Sequence, residues 1–354
     1  MLHTLLFCAI ALAPADVAKL AKHYTDSVHQ LNEKHARDPG KEGEQELARK
    51  LPADAQKALE QLLAEKSSPE LERALEDCSE AALDLDRLED FQKIRARRLK
   101  DTPGDAAKLD TALSRPRFVL RGVGGLDEDY LKSFAEVLEG VLGAYDEVFG
   151  FAEFSKVPGK KLRVRLRLVD KITAPPHFGP EFPYHSEIDF PVIDAHELAS
   201  PTADGKFLFY GLCHELGHVI AMWDTPGKQE DFHTWAHYCG VTIVEHLAQQ
   251  KSPPKWLKKL RDAQWRSLAK EREAAKEHKP GLDSDKAVMA TWIALHDRVG
   301  PKVLAAAMNE MDAKEECSRV NRVRYYTFKA FKKALLREVG KDEVKRKAVE
   351  ELFR

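Results

Sequence analysis

The residues best equipped for chemistry in this chain are His214-Glu215-Leu216-Gly217-His218. Two histidines four apart project from one face of an α-helix, so both imidazoles can reach one ion, while Glu215 lies beside that position and can handle a proton. The flanking stretches, Phe207-Leu208-Phe209-Tyr210-Gly211-Leu212-Cys213 and Val219-Ile220-Ala221-Met222-Trp223, are apolar, so the expected helix is a buried one. A set of imidazoles and a carboxylate is costly to bury without a partner, and a zinc ion supplies one. Histidine is concentrated here: of the 14 in the chain, five fall between His214 and His246, and a second helix carrying His233 and His237 follows a short turn at Thr225-Pro226-Gly227-Lys228.

These groups need elements to hold them. Arg117-Phe118-Val119-Leu120-Arg121 alternates like a strand, Gly122 to Gly125 makes a turn, and an amphipathic helix is expected over 126–149. The run 162–168, Leu-Arg-Val-Arg-Leu-Arg-Leu, is a strand with one apolar and one basic face. Proline, glycine and aromatics make 174–183 a loop, and 187–193 is a strand that Pro191 would confine to a sheet edge. From Phe207 onward the pattern is helical, apart from turns near Pro226-Gly227, Pro253-Pro254, Pro280-Gly281 and Gly300-Pro301. Upstream, apolar residues three and four apart predict about three helices, and the basic run Arg95-Ala96-Arg97-Arg98-Leu99-Lys100 reads as a solvated helix face. The expected fold class is α+β and mostly helical. A helical N-terminal region, 16–112, precedes a domain of small mixed sheet and motif helix, 113–354.

Composition bounds the function. Lys and Arg number 56 against 58 Asp and Glu, so no basic excess is available to neutralise phosphates and nucleic acid is not an expected partner. A charged fraction of 32% beside 43% apolar residues describes a folded, soluble chain rather than a disordered one. The first 15 residues read as a signal peptide: Leu5-Leu6-Phe7-Cys8-Ala9-Ile10-Ala11-Leu12-Ala13 is a short apolar run, and Ala11-Leu12-Ala13 and Ala13-Pro14-Ala15 are small-x-small cleavage sites. Secreted or periplasmic localisation follows as an expectation. The run is too short to span a bilayer, so no mature membrane anchor is expected. Export would leave Cys78, Cys213, Cys239 and Cys317 in an oxidising compartment with their connectivity open. Cys213 and Cys239 also fit as small buried apolar residues, and Trp223, Trp235, Trp256, Trp265 and Trp292 read as core.

The order of strand at Arg117, long helix, strand at Leu162, edge strand, HExxH helix and second helix resembles the gluzincin-type zinc metallopeptidases, the thermolysin-like or peptidase-MA-like superfamily, over residues 117–303. The resemblance implies a zincin-like catalytic domain in which a strand before the motif binds substrate backbone and Glu215 activates water. In that family a Glu in an Asn-Glu-Gly-x-Ala-x-Tyr context completes the metal site. The matching stretch here is Phe232-His233-Thr234-Trp235-Ala236-His237-Tyr238, which puts His233 at that place and implies a zinc site of His214, His218 and His233. Three further candidates remain beside it. His237, one turn on, is either a ligand or a group holding a metal-bound imidazole. Asp224 has the metzincin spacing, but that geometry wants glycine at 221, and Ala221-Met222-Trp223 more naturally continues the helix. Glu245 lies roughly 18 Å along the helix from His233 at 1.5 Å per residue and reads as solvent-facing. The implied function is zinc-dependent hydrolysis of a peptide or protein substrate. The alternative is a non-catalytic zincin-like protein that binds a peptide or protein partner, and retention of Glu215 favours catalysis. Tyr184, His185, Tyr325 and Tyr326 are candidate oxyanion donors by residue type alone.

Overall fold

Apolar residues recurring three and four apart build four helices in the first part of the chain, α1 (Pro14–Arg37), α2 (Ala53–Ala64), α3 (Pro69–Asp84) and α4 (Leu88–Asp101). The computed structural model describes residues 12–37, 51–101, 109–151, 161–169, 177–179, 187–192, 203–223, 232–251, 268–314, 316, 318–320 and 323–353. They form two units, one ending at Asp110 and the other beginning at Thr111. Most of the proposed signal segment lies outside the described residues, and none of the described helices is long and apolar enough to cross a membrane.

In the first unit α3 starts at Pro69 behind Ser68, whose hydroxyl accepts the Leu71 N–H at 3.2 Å, so both the cap and the proline sit where a helix start favours them. Tyr24, Leu59, Leu75, Cys78 and Phe91 form its core. Asp90, buried among them, accepts from Tyr24 Oη at 3.0 Å, Gln56 Nε2 at 3.2 Å and Arg87 Nε at 2.5 Å, and so ties three helices through one carboxylate. The basic run of α4 is not the solvated face expected of it. Arg97 donates to the Leu63 carbonyl at 2.8 Å and to that of Glu65, placing its charge at the C-terminus of α2. Arg98 pairs with Glu72 at 3.0 Å, and Arg95 donates to the Asp110 carbonyl at 3.0 Å.

The second unit opens with β1 (Thr111–Ser114), β2 (Phe118–Val123), α5 (Glu128–Phe149) and β3 (Leu162–Leu168), followed by β4 (His177–Gly179) and β5 (Glu187–Val192). Sheet order is β1-β2-β3-β5-β4, with β2, β3 and β5 parallel and an antiparallel strand at each edge. Alternation in β3 buries Leu162, Val164 and Leu166 in the core, while Arg165 and Arg167 on the other face pair with Asp189 of β5 at 3.0 and 2.8 Å. Asp127 caps α5 by accepting the Tyr130 N–H at 2.8 Å, and Gly150, in the left-handed region with φ 78°, ends it.

Two expectations about strands are corrected. The stretch 174–183 is not wholly loop, because it contains β4, and β4 rather than β5 is the edge strand. Pro191 is nevertheless accommodated for the reason proline needs an edge. The Val192 carbonyl bonds Val169 N–H of the chain leaving β3, so the neighbouring Pro191 nitrogen points the other way, and β4 pairs only with residues 187–189 and has ended there.

The rest of the unit is α6 (Ala203–Ile220), β6 (Met222–Trp223), α7 (Phe232–Gln249), α8 (Leu268–Ala275), α9 (Asp285–Val299), α10 (Pro301–Ala313), β7 (Ser318–Val320), β8 (Val323–Tyr326), α11 (Phe328–Glu338) and α12 (Glu343–Leu352). It is α+β and mostly helical. A second sheet, ordered β6-β8-β7, interrupts the helical run expected after Phe207. The motif helix therefore stops at Ile220, and Met222 and Trp223 pair in parallel with Tyr325 and Tyr326 instead of continuing it. A two-residue strand carries no period, so only its pairing partner a hundred residues later identifies it.

Candidate metal centre

The centre is built where α6 and α7 cross. Phe209, Leu212, Leu216 and Val219 bury one side of α6 in the core, which turns Tyr210, His214 and His218, spaced by four, toward α7. Tyr145 of α5 donates to the Cys213 carbonyl at 2.5 Å, anchoring the motif helix from behind. Small residues let the two helices approach. A Cβ added to Gly217 would stand 2.7 Å from Ala236 Cα, and one added to Gly240 would stand 3.0 Å from the Tyr210 ring and 3.4 Å from the His214 backbone nitrogen. Close backbones are what bring His233, in the first turn of α7, over the motif.

His214, His218 and His233 converge. Each offers one nitrogen, and the three nitrogens lie within 4.8 Å of one another. His214 Nε2 and His218 Nε2 are 3.1 Å apart. The His233 ring stacks on His214, centroids 5.8 Å apart at 18°, and meets His218 edge-on at 5.0 Å. Ligand nitrogens on a tetrahedral ion at the usual zinc distances would be roughly 3.3 Å apart, so the cluster reaches that geometry once its nitrogens draw together from their present spread. His218 and Glu215 are buried, at 4% and 7% exposure, His214 is half-buried and His233 is exposed, so one side of the cluster is open to solvent. The three residues can hold a metal ion.

The remaining sequence candidates fall elsewhere. His237 engages both ring nitrogens outside the cluster: Nδ1 meets Tyr210 Oη, and Nε2 meets Glu271 of α8 at 3.1 Å. Glu245 is not solvent-facing. Its Oε2 accepts the Ala269 N–H at 2.7 Å in the first turn of α8, and Arg272 stands 3.7 Å from its other oxygen, so it holds α8 against α7. Asp224, Tyr184 and His185 lie outside the described residues. Residues 221–223 do not continue the helix as expected, since the chain leaves α6 as a strand. Tyr325 and Tyr326 lie in register beside that strand, and Tyr326 is buried.

Two residues near the centre escape a sequence reading. Tyr210 Oη lies 3.3 Å from His214 Nδ1, and its position four before His214 is a signal that the motif's own spacing contains. Glu271 carries no such signal, because a helix 34 residues beyond His237 delivers it.

Behind the cluster the helices are tightly packed. Trp235 and Trp292 are fully buried with rings edge-on at 4.9 Å, whereas Trp256 and Trp265 lie outside the described residues. Cys78, Cys213 and Cys239 are free and buried, with no disulfide among the described residues, and burial pushes all three thiols up, that of Cys78 to about 12. Tyr238 of α7 bonds His296 Nδ1 of α9 at 2.9 Å, and burial lowers the His296 pKa. Comparison of the chain with protein-family models, with curated proteins and with solved structures returns no match.

Proposed function

We propose that the second unit is a zinc-dependent peptide-bond hydrolase with a zincin-like architecture. The observation that carries this reading is the convergence of three imidazoles on one point, with Glu215 next to His214 on the same buried helix. Three nitrogen donors with an open side match the pattern of catalytic zinc rather than the oxygen-rich cages of magnesium or calcium. A zinc ion held by His214, His218 and His233 supplies Lewis acidity, lowering the pKa of water and polarising a carbonyl.

The protein's own residues supply the rest. Glu215 accepts a proton from the attacking water and delivers it to the leaving amine. Its burial keeps that carboxylate out of bulk solvent. The edge strand β4, which packs against α6, presents backbone groups to which an extended peptide can add as a further strand, and this supports a peptide or protein substrate. The apolar run at 5–13 supports action outside the cytoplasm.

The test is Glu215→Gln, which keeps shape and every proposed ligand. Zinc remains bound, and hydrolysis of a peptide substrate falls at least about a hundredfold. Unchanged turnover would remove Glu215 as the base. A zinc-loaded parent that cleaves nothing in a broad peptide library would favour the non-catalytic binding alternative.

A further inference from the structure

We propose that Tyr210, His237 and Glu271 are positioning residues that fix the tautomer of His214 and present its Nε2 lone pair to the metal. The inference rests on His214 being a ligand, as read above, and not on any hydrolytic activity. Its basis is an unbroken series of contacts: Glu271 Oε1 to His237 Nε2 at 3.1 Å, His237 Nδ1 to Tyr210 Oη, and Tyr210 Oη to His214 Nδ1 at 3.3 Å.

Direction follows from proton inventory. An ionised carboxylate only accepts, so His237 Nε2 must donate to Glu271, and in the singly protonated form of the ring Nδ1 is then an acceptor. Tyr210 has one proton and gives it to that acceptor. Its oxygen is left to accept, and the group facing it is His214 Nδ1, which must therefore carry the hydrogen. The neutral His214 ring then has its lone pair on Nε2, the nitrogen that faces His218 Nε2. With every bond reversed, His214 would point an N–H at the cation site and could not ligate. Glu271 sets the sense of the whole series because it is the one member that cannot donate.

The carboxylate is itself held in place. Glu245 of α7 binds the first turn of α8 through the Ala269 N–H, and Arg272, next to Glu271, pairs with Asp297 of α9 at 2.7 Å. Glu271 and His237 are about four-fifths shielded from solvent, with side-chain exposures of 23% and 20%, so water competes little for these bonds.

The test reads the tautomer directly in the full chain, labelled with ¹⁵N-histidine and freed of metal by chelator dialysis. At about pH 8, where an ordinary imidazole is neutral, long-range ¹H–¹⁵N correlation distinguishes Nδ1–H from Nε2–H rings. The parent shows His214 as Nδ1–H. Glu271→Ala, which removes the acceptor, and Tyr210→Phe, which breaks the series, both shift it toward Nε2–H, and zinc affinity in chelator competition falls about 10- to 100-fold. Unchanged His246 ring signals in the variants show that the fold is retained, a control that a merely structural effect would not pass. A parent ring already in the Nε2–H form, or an Nδ1–H ring unmoved in either variant, would overturn the proposal. The tautomer is read without substrate or bound metal and the zinc affinity without substrate, so the proposal stands or falls separately from the hydrolase reading.

Discussion

Gly217→Ala tests whether the metal site depends on helix approach rather than on its ligands alone. The added Cβ would stand 2.7 Å from Ala236 Cα and 3.1 Å from Cys239 Cβ. Carbon atoms rest at about 3.5 to 4.0 Å, and Ala236 Cα is backbone, so no rotamer change relieves the clash and α7 must retreat by roughly 0.8 Å. His233 lies one turn before Ala236 on α7 and moves with it. The retreat carries His233 further from His214 and His218, whose nitrogens with its own already spread to within 4.8 Å against the roughly 3.3 Å of a tetrahedral zinc site. Overpacking costs about 1 to 3 kcal/mol, against about 0.5 to 1 kcal/mol gained by removing a mid-helix glycine, so the variant is also less stable. Zinc affinity measured against a chromophoric chelator should fall at least about tenfold, with a lower Tm for the metal-free protein. Gly143→Ala in α5 is the control, because its Cβ meets nothing within 4 Å. That substitution should leave affinity unchanged and raise Tm. A Gly217→Ala protein that binds zinc and melts like the parent would refute the claim that contact between α6 and α7 places His233.

His233→Ala should lose zinc nearly as completely as His214→Ala or His218→Ala, while His237→Ala keeps binding with affinity reduced about 10- to 100-fold, as equilibrium dialysis would show. Equal loss in His233→Ala and His237→Ala would bring His237 into the ligand set. His296 makes stability pH-dependent: its folded pKa is lowered by burial, so its contribution is present above the ordinary value of about 6.5 and is lost as pH falls through the window below it. Urea unfolding at about pH 8 and pH 5 should show a smaller difference in His296→Gln than in the parent, and an equal or larger one would remove His296 from the acid response.

What the sequence determined on its own were local, periodic features. HExxH gave two imidazoles on one face of a buried helix, alternation gave β2 and β3, and amphipathic spacing gave α5, because each depends on neighbours within a turn or a pleat. His233 was reachable too, but through the resemblance of 232–238 to the family's third-ligand stretch rather than from local pattern. Other features are decided by groups far apart in the chain, and only the tertiary structure settles them. The strand β6 exists because β8 pairs with it, and β4 rather than β5 is the edge because a three-residue strand finds Asp189, Ile188 and Glu187. Glu245 serves the start of α8, and the basic run of α4 serves the end of α2, roles that exposure-based reasoning cannot see. The second layer of the centre is of the same kind. Tyr210 was one helical turn from the motif, but its meaning depends on His237, and that of His237 on Glu271 of a third helix, a hydrogen-bonded series with no period for a sequence to display.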